Sequence, residues 1–230
     1  MKLSASTIEI LKNFSTINPG LIFLTGDSLR TVAPLKNIFA EARIEETIPT
    51  TFAIYDVSDF LSVMSAHKEI PDIDFRDRDL VMLGNEGRSK TTYRYTDPEM
   101  IKHNEIIMGG KKIVLADRPV SFELSVSDLG WIMRMSSVLG SPQVAIRSDG
   151  EKIMLKAYDK NNDGVNTNTL EIAEGNGSKY NVIFNTENLK IIPGGYEVSV
   201  SSKGIAEFDH TGRDLVYFIT PEQGSVYEAI

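Results

Sequence analysis

Leu3-Ser4-Ala5-Ser6-Thr7-Ile8, continued by Leu11, Phe14 and Ser15, recurs in kind as Leu124-Ser125-Val126-Ser127-Asp128-Leu129, continued by Ile132, Met135 and Ser136. The offset is 121 residues. A second pair, Ala53-Ile54-Tyr55-Asp56 and Val182-Ile183-Phe184-Asn185, lies 129 residues apart, after which Asp59-Phe60 falls on Asn188-Leu189. Any two capped amphipathic helices share such features, but two ordered matches at nearly one offset point to an internal duplication. The chain therefore divides into a domain over 1–110 and a second over 111–230. The connector runs over Thr96–Arg118, where periodicity fades around Gly109-Gly110-Lys111-Lys112.

Four segments have helical spacing. Leu3–Ile17 places Ile8, Leu11 and Phe14 on one face, with Ser6 and Glu9 available as a capping box. Val57–Lys68 opens on Asp56, Ser125–Leu139 carries Leu129, Ile132, Met133 and Met135, and the short Asn185–Ile192 stops at Pro193-Gly194-Gly195. Trp131, the only tryptophan, falls in the third helix and reads as core or domain-interface packing. Most other segments alternate or form short β-rich runs: Leu21–Leu24, Ser28–Ala33, Ile38–Ile44, Thr51–Tyr55, Val144–Ser148, Lys152–Tyr158, Asn168–Ala173, Lys179–Phe184, Tyr196–Ser202, Ile205–Phe208 and Leu215–Thr220. Hairpin-close strands with few helices specify an α+β fold with antiparallel sheet, two helices to each domain.

The 230 residues are 41% hydrophobic and 24% charged, enough for a full core. No apolar run approaches the roughly 20 residues of a membrane helix. Glu9 and Lys12 interrupt the apolar stretch that a secretion signal needs, so the N-terminus reads as structure. With no cysteine, disulfides, thiolate metal sites and cysteine nucleophiles are excluded, and the three histidines are scattered. The net charge of −8 argues at first against binding nucleic acid. Each half carries 12 basic and 16 acidic residues, so there is no basic tail. Within the helices, acids (Glu9, Asp59, Asp128, Glu187) occupy early positions, where the helix dipole favours them. One base follows in each: Lys12, Lys68, Arg134 and Lys190.

Several strings together resemble the sliding clamps of T-even-like bacteriophages. They are Met1-Lys2-Leu3-Ser4, Leu11-Lys12-Asn13-Phe14-Ser15-Thr16-Ile17-Asn18-Pro19-Gly20, Ala53-Ile54-Tyr55-Asp56 with Phe60-Leu61, Thr96-Asp97-Pro98, Asp128-Leu129 with Arg134, and Pro193-Gly194-x-Tyr196. The similarity runs end to end and is faint over 75–112. It implies a clamp fold of two duplicated domains, three copies closing into a ring, and twelve helices lining a hole that duplex DNA threads. It also implies a viral DNA polymerase tethered to its template, an ATP-driven clamp loader, in some relatives late-transcription factors, and action in the cytoplasm of the infected bacterial host. No cofactor, metal or catalytic activity is expected. Confinement then replaces adhesion, so a sparse cationic lining suffices and −8 overall is compatible with it. The DNA-facing residues expected are Lys12, Lys68, Arg134 and Lys190, helped by Lys2 and Asn13, acting on phosphates. Ile106, Ile107, Phe218 and Pro221 are expected to form a pocket for partner peptides.

Three strings imitate other chemistry. Asp159-Lys160-Asn161-Asn162-Asp163-Gly164 starts like an EF-hand loop but has Leu170 where the twelfth ligand belongs, and reads as a hairpin loop. Gly84-x-x-Gly87-x-x-Lys90-Thr91 lacks the spacing of a phosphate loop. Asp72, Asp74, Asp77 and Asp79 alternate as a metal-binding cluster would, although a solvated hairpin is the simpler reading. The alternatives to a clamp are a β-rich oligomeric virion or assembly protein, and, more remotely, an enzyme using those carboxylates.

Overall fold

The computed structural model describes residues 1–110 and 112–228. Lys111, in the expected connector, lies outside them. The chain divides into two compact units, Met1–Lys112 and Ile113–Ile230.

The first unit opens with helix α1 (Ala5–Ile17), then strands β1 (Leu21–Phe23), β2 (Gly26–Val32), β3 (Ile38–Ile48) and β4 (Phe52–Ile54). These four pair antiparallel in the order β4-β1-β2-β3. Helix α2 (Val57–Ser65) leads to a second, three-stranded sheet of β5 (Asp72–Phe75), β6 (Asp79–Gly84) and β7 (Ser89–Arg94), with β6 central. A 3-10 turn at Pro98–Met100 and a short helix α3 (Asn104–Met108) end the unit. α1 packs on β2, β3 and α2, burying Ile10, Leu11 and Phe14. Phe23 stacks on Phe52 at 4.5 Å and meets Phe60 of α2 edge-on at 6.4 Å. The core therefore lies beneath the two helices.

The second unit repeats the scheme with additions. β8 (Val120–Leu124) precedes helix α4 (Val126–Leu139), and β9 (Gln143–Asp149), β10 (Lys152–Tyr158), β11 (Asn168–Glu174) and β12 (Lys179–Asn185) follow. After a 3-10 turn at Thr186–Leu189 come β13 (Tyr196–Ser201), β14 (Ile205–His210), β15 (Leu215–Ile219) and β16 (Val226–Glu228). One antiparallel set runs β8-β13-β14-β15 and the other β11-β10-β9-β12-β16. α4 covers β9, β10 and β11.

The repeated strings take the same local geometry. Ser4 and Ser125 both sit at φ −71° as N-caps, and each hydroxyl accepts the amide three residues on, at 3.1 Å. Asp56 caps α2 and Asn185 caps the 3-10 turn, so the second match also holds at the caps.

Four features differ from the sequence reading. The cap of α1 is Ser4 and not Ser6. The acid completing it is Glu46 of β3, which accepts from the Ser4 amide and the Thr7 hydroxyl, in place of Glu9. α2 stops at Ser65, three residues before Lys68, with Ala66 as its C-cap. The fourth helix is one 3-10 turn, since Asn185, Thr186 and Asn188 favour turns and Pro193-Gly194 follows closely. Trp131 is 44% exposed and not core.

The imitating strings are hairpins. Asp159 and Asn162 accept from the backbone amides of Asn161 (2.8 Å) and Gly164 (3.0 Å), so their oxygens serve the loop itself. Asn85, Glu86 and Gly87, at φ 52°, 58° and 82°, turn β6 into β7. Asp72 and Asp74 share the exposed face of β5, Asp77 lies in the turn and Asp79 opens β6. Asp74 pairs with Arg76 at 3.2 Å.

Candidate nucleic-acid interface

In the first unit, burial of Leu11 and Phe14 beneath α1 turns Lys12 outward on the opposite side. Lys12 and Lys68 then line one groove of about 270 Å³, whose walls are Ile8, Leu61, Met64, Ile70 and Pro71, with His67 and Glu69 at the edge. Two bases 56 residues apart in sequence thus share one rim, although Lys68 stands on the loop after α2. An ammonium over an apolar wall keeps its stem packed and its charge in water. Such a group meets a phosphate without the desolvation that a buried ion pair requires. Asn13, half-buried on α1, accepts the Thr16 hydroxyl on its backbone carbonyl at 2.7 Å.

Lys2 stands apart from the helices. The terminal ammonium donates to the Ile73 carbonyl at 3.0 Å and the Ile73 amide donates to the Met1 carbonyl at 2.7 Å, so the N-terminus runs along β5. Lys2 itself lies 3.9 Å from Asp72. Its charge is thereby partly offset.

In the second unit, Arg134 is exposed on α4. The Ser136 and Thr186 hydroxyls both donate to the Ser141 carbonyl, at 2.8 and 2.9 Å, which fastens the 3-10 turn to the end of α4. Lys190 follows that turn and pairs with Glu187 at 2.7 Å. Arg134 and Lys190 therefore stand on neighbouring elements, and Lys190 has an acid partner on its own turn. Exposed pairs of this kind are worth well under about 1 kcal/mol and exchange readily for another anion.

The expected peptide pocket fares differently. Ile107 is fully buried under α3 and Phe218, in β15, is 8% exposed, so both serve the cores of their own units. Ile106 and Pro221 keep part of their surface. A second accessible groove of the first unit lies elsewhere, about 230 Å³ lined by Pro19, Gly20, Pro34, Tyr55, Met100 and Ile101. Its signal was present in the sequence as the Pro19-Gly20 turn, but only folding brings Met100 beside it. Among the described residues, no three His, Asp or Glu side chains are grouped as a metal site, and no helix is long and apolar enough to cross a membrane.

Residues 3–103 match the family model for DNA polymerase processivity factors, and residues 121–223 match that for the C-terminal part of the gp45 sliding clamp. The sliding clamp of Vibrio phage KVP40 is 31% identical over 96% of this chain and 99% of its own length. That of Escherichia phage RB69 is 30% identical over 99% and 100%. In fold, PCNA of A. fulgidus, solved with the C-terminal region of FEN-1, superposes with a TM-score of 0.69 at 14% identity, covering 95% of this chain and 96% of that one. PCNA from Entamoeba histolytica gives 0.67 at 14% identity, covering 94% of each chain.

Proposed function

This chain belongs to the bacteriophage sliding-clamp family, and we propose that three copies close into a ring around duplex DNA and tether the viral DNA polymerase to it. The observation that carries the reading is 31% identity to a phage sliding clamp sustained over 96% of the chain. The family is one of non-catalytic processivity factors, which sets aside both the virion-protein and the enzyme alternatives. The reading makes an ATP-driven loader and late-transcription factors further partners, and the cytoplasm of an infected bacterium the place of action.

The DNA-facing set in this proposal is Lys12 and Lys68 on their common groove, with Arg134 and Lys190 on the second unit. Asn13 is a neutral neighbour of Lys12, and Lys2 contributes least because Asp72 stands beside it. Contacts to phosphate carry no sequence readout and exchange quickly, as sliding requires. For the polymerase we take Ile106 and Pro221 as contact candidates, each within its own unit.

Charge reversal tests the assignment. Lys12→Glu, Arg134→Glu and Lys190→Glu combined are expected to cut loader-dependent polymerase processivity at least tenfold, with the mass of the assembly unchanged. Wild-type processivity in that variant would overturn the DNA-facing set.

A further inference from the structure

α1 and α2 leave part of one face uncovered. The Ser58 hydroxyl lies 3.5 Å from that of Ser15, so the start of α2 stands beside the end of α1, and Ile8 and Met64 share a groove at the other end. The two helices therefore run antiparallel. α1 has 13 residues and α2 only 9, so the first turns of α1 outrun α2 by about 6 Å. Residues 66–71 border that gap without filling it. The result is the groove of about 270 Å³ between Ile8 and Lys12 of α1, Leu61 and Met64 of α2, and Ile70 of the loop.

The groove has two chemistries. Its walls are apolar, and Ile70 is 38% exposed. Its rim carries Lys12 and Lys68, both exposed. Among the described residues neither of these has an ion pair, whereas Lys2, Lys152, Lys160 and Lys190 each stand beside a carboxylate. Glu69 is the acid among the lining residues, and it also lines an adjoining polar pocket with Arg88. Duplex DNA matches only the lysines, since what it turns toward a helix face is phosphate and sugar. The apolar walls stay wet in that contact, and a wet apolar concavity is the ordinary mark of a binding site. A basic partner is repelled by the rim, and an uncharged one leaves both ammonium groups unused.

We propose that this groove takes a short acidic peptide segment of a partner protein, bulky apolar side chains between two carboxylates, and does so only while the protein is free of DNA. The apolar side chains pack on Ile8, Leu61, Met64 and Ile70, and the carboxylates meet Lys12 and Lys68. Exposed charge pairs add little affinity, so the walls hold the peptide and the rim selects it. Peptide and DNA exclude each other because both need the same two ammonium groups. This rests on the reading that Lys12 and Lys68 face DNA. Such a segment imitates the charge of the thread while using surface that the thread cannot fill, and it occupies the protein until DNA displaces it.

The probe is a fluorescein-labelled peptide in which Leu-Phe is flanked by Glu on both sides, titrated with the full chain and followed by anisotropy. Micromolar binding at one peptide per chain is expected. Replacing its Glu residues by Gln, or its Leu and Phe by Ala, is expected to weaken binding at least tenfold, as is Lys12→Met with Lys68→Met in the protein. Both lysines are exposed, so the doubly substituted chain keeps its core, and the altered peptides need no variant at all. Protein trapped on nicked circular DNA is expected to bind none. No binding up to hundreds of micromolar protein, or binding indifferent to the lysines or to the Glu residues of the peptide, overturns the docking site, while the DNA-facing set still stands or falls on processivity. Equal binding to free and DNA-trapped protein overturns the exclusion together with the DNA-facing reading of Lys12 and Lys68.

Discussion

Gly194 shows why the string Pro193-Gly194-x-Tyr196 is written as it is. A Cβ placed there would fall 2.1 Å from His210 Nε2. The His210 ring meets Tyr196 edge-on at 5.0 Å, and the fully buried Tyr196 donates its hydroxyl to the Ile192 carbonyl. The ring has little room to retreat, so Gly194→Ala is expected to destabilise the protein by roughly 1–3 kcal/mol in urea unfolding. His210 also titrates against folding. Burial, then the nearby Arg213, holds its pKa below the ordinary 6.5. The unfolded chain then binds the proton more readily. Stability is fully present above about pH 6.5 and falls as pH drops through that value and below, toward the folded pKa. Thermal unfolding from pH 7.5 to 5.5 should show this fall, and His210→Gln should flatten it.

The helix caps carry the duplication into local structure. Ser125 bonds to both the Asp128 amide (3.1 Å) and its carboxylate (2.7 Å), so Ser125→Ala is expected to cost about 1 kcal/mol, read from chemical denaturation. Ser4→Ala should cost about as much, because it leaves the Thr7 amide without its acceptor. Elements of this kind were legible because their determinants are adjacent in sequence. The cap, the first apolar turn and the terminating Gly140 at φ 63° all lie within α4 and its ends. β7 was not legible as a strand although its partner β6 directly precedes it, because Ser89–Arg94 shows no apolar alternation. β5 was legible only as one arm of a hairpin, its bond to Met1 having no local signal. The end of α2 was misjudged because no glycine or proline stands next to Ser65 to mark it. Of the expected site, Lys12 was legible from helical spacing alone. Its partnership with Lys68 was not, because the groove joining them exists only once α1 and α2 pack. Trp131 was read by its type as core or domain-interface packing, and no local signal marks it as standing beside β11.

On the scale of the whole molecule, a chain of net charge −8 is asked to hold DNA. Long-range attraction of the kind a basic protein exerts is absent, and tight phosphate contacts would hinder sliding. Enclosure resolves both requirements, since a closed ring keeps its thread at any affinity. Three copies of the 25.5 kDa chain give about 76 kDa, the mass expected in solution at micromolar concentration. The direct measurement of enclosure is retention on nicked circular DNA after loading, before and after a restriction enzyme cuts the circle. The ring predicts retention through a wash at 0.5 M salt on the circle and release from the free ends within minutes of cutting. Equal retention on circle and cut DNA, or release from both as salt rises, would contradict it.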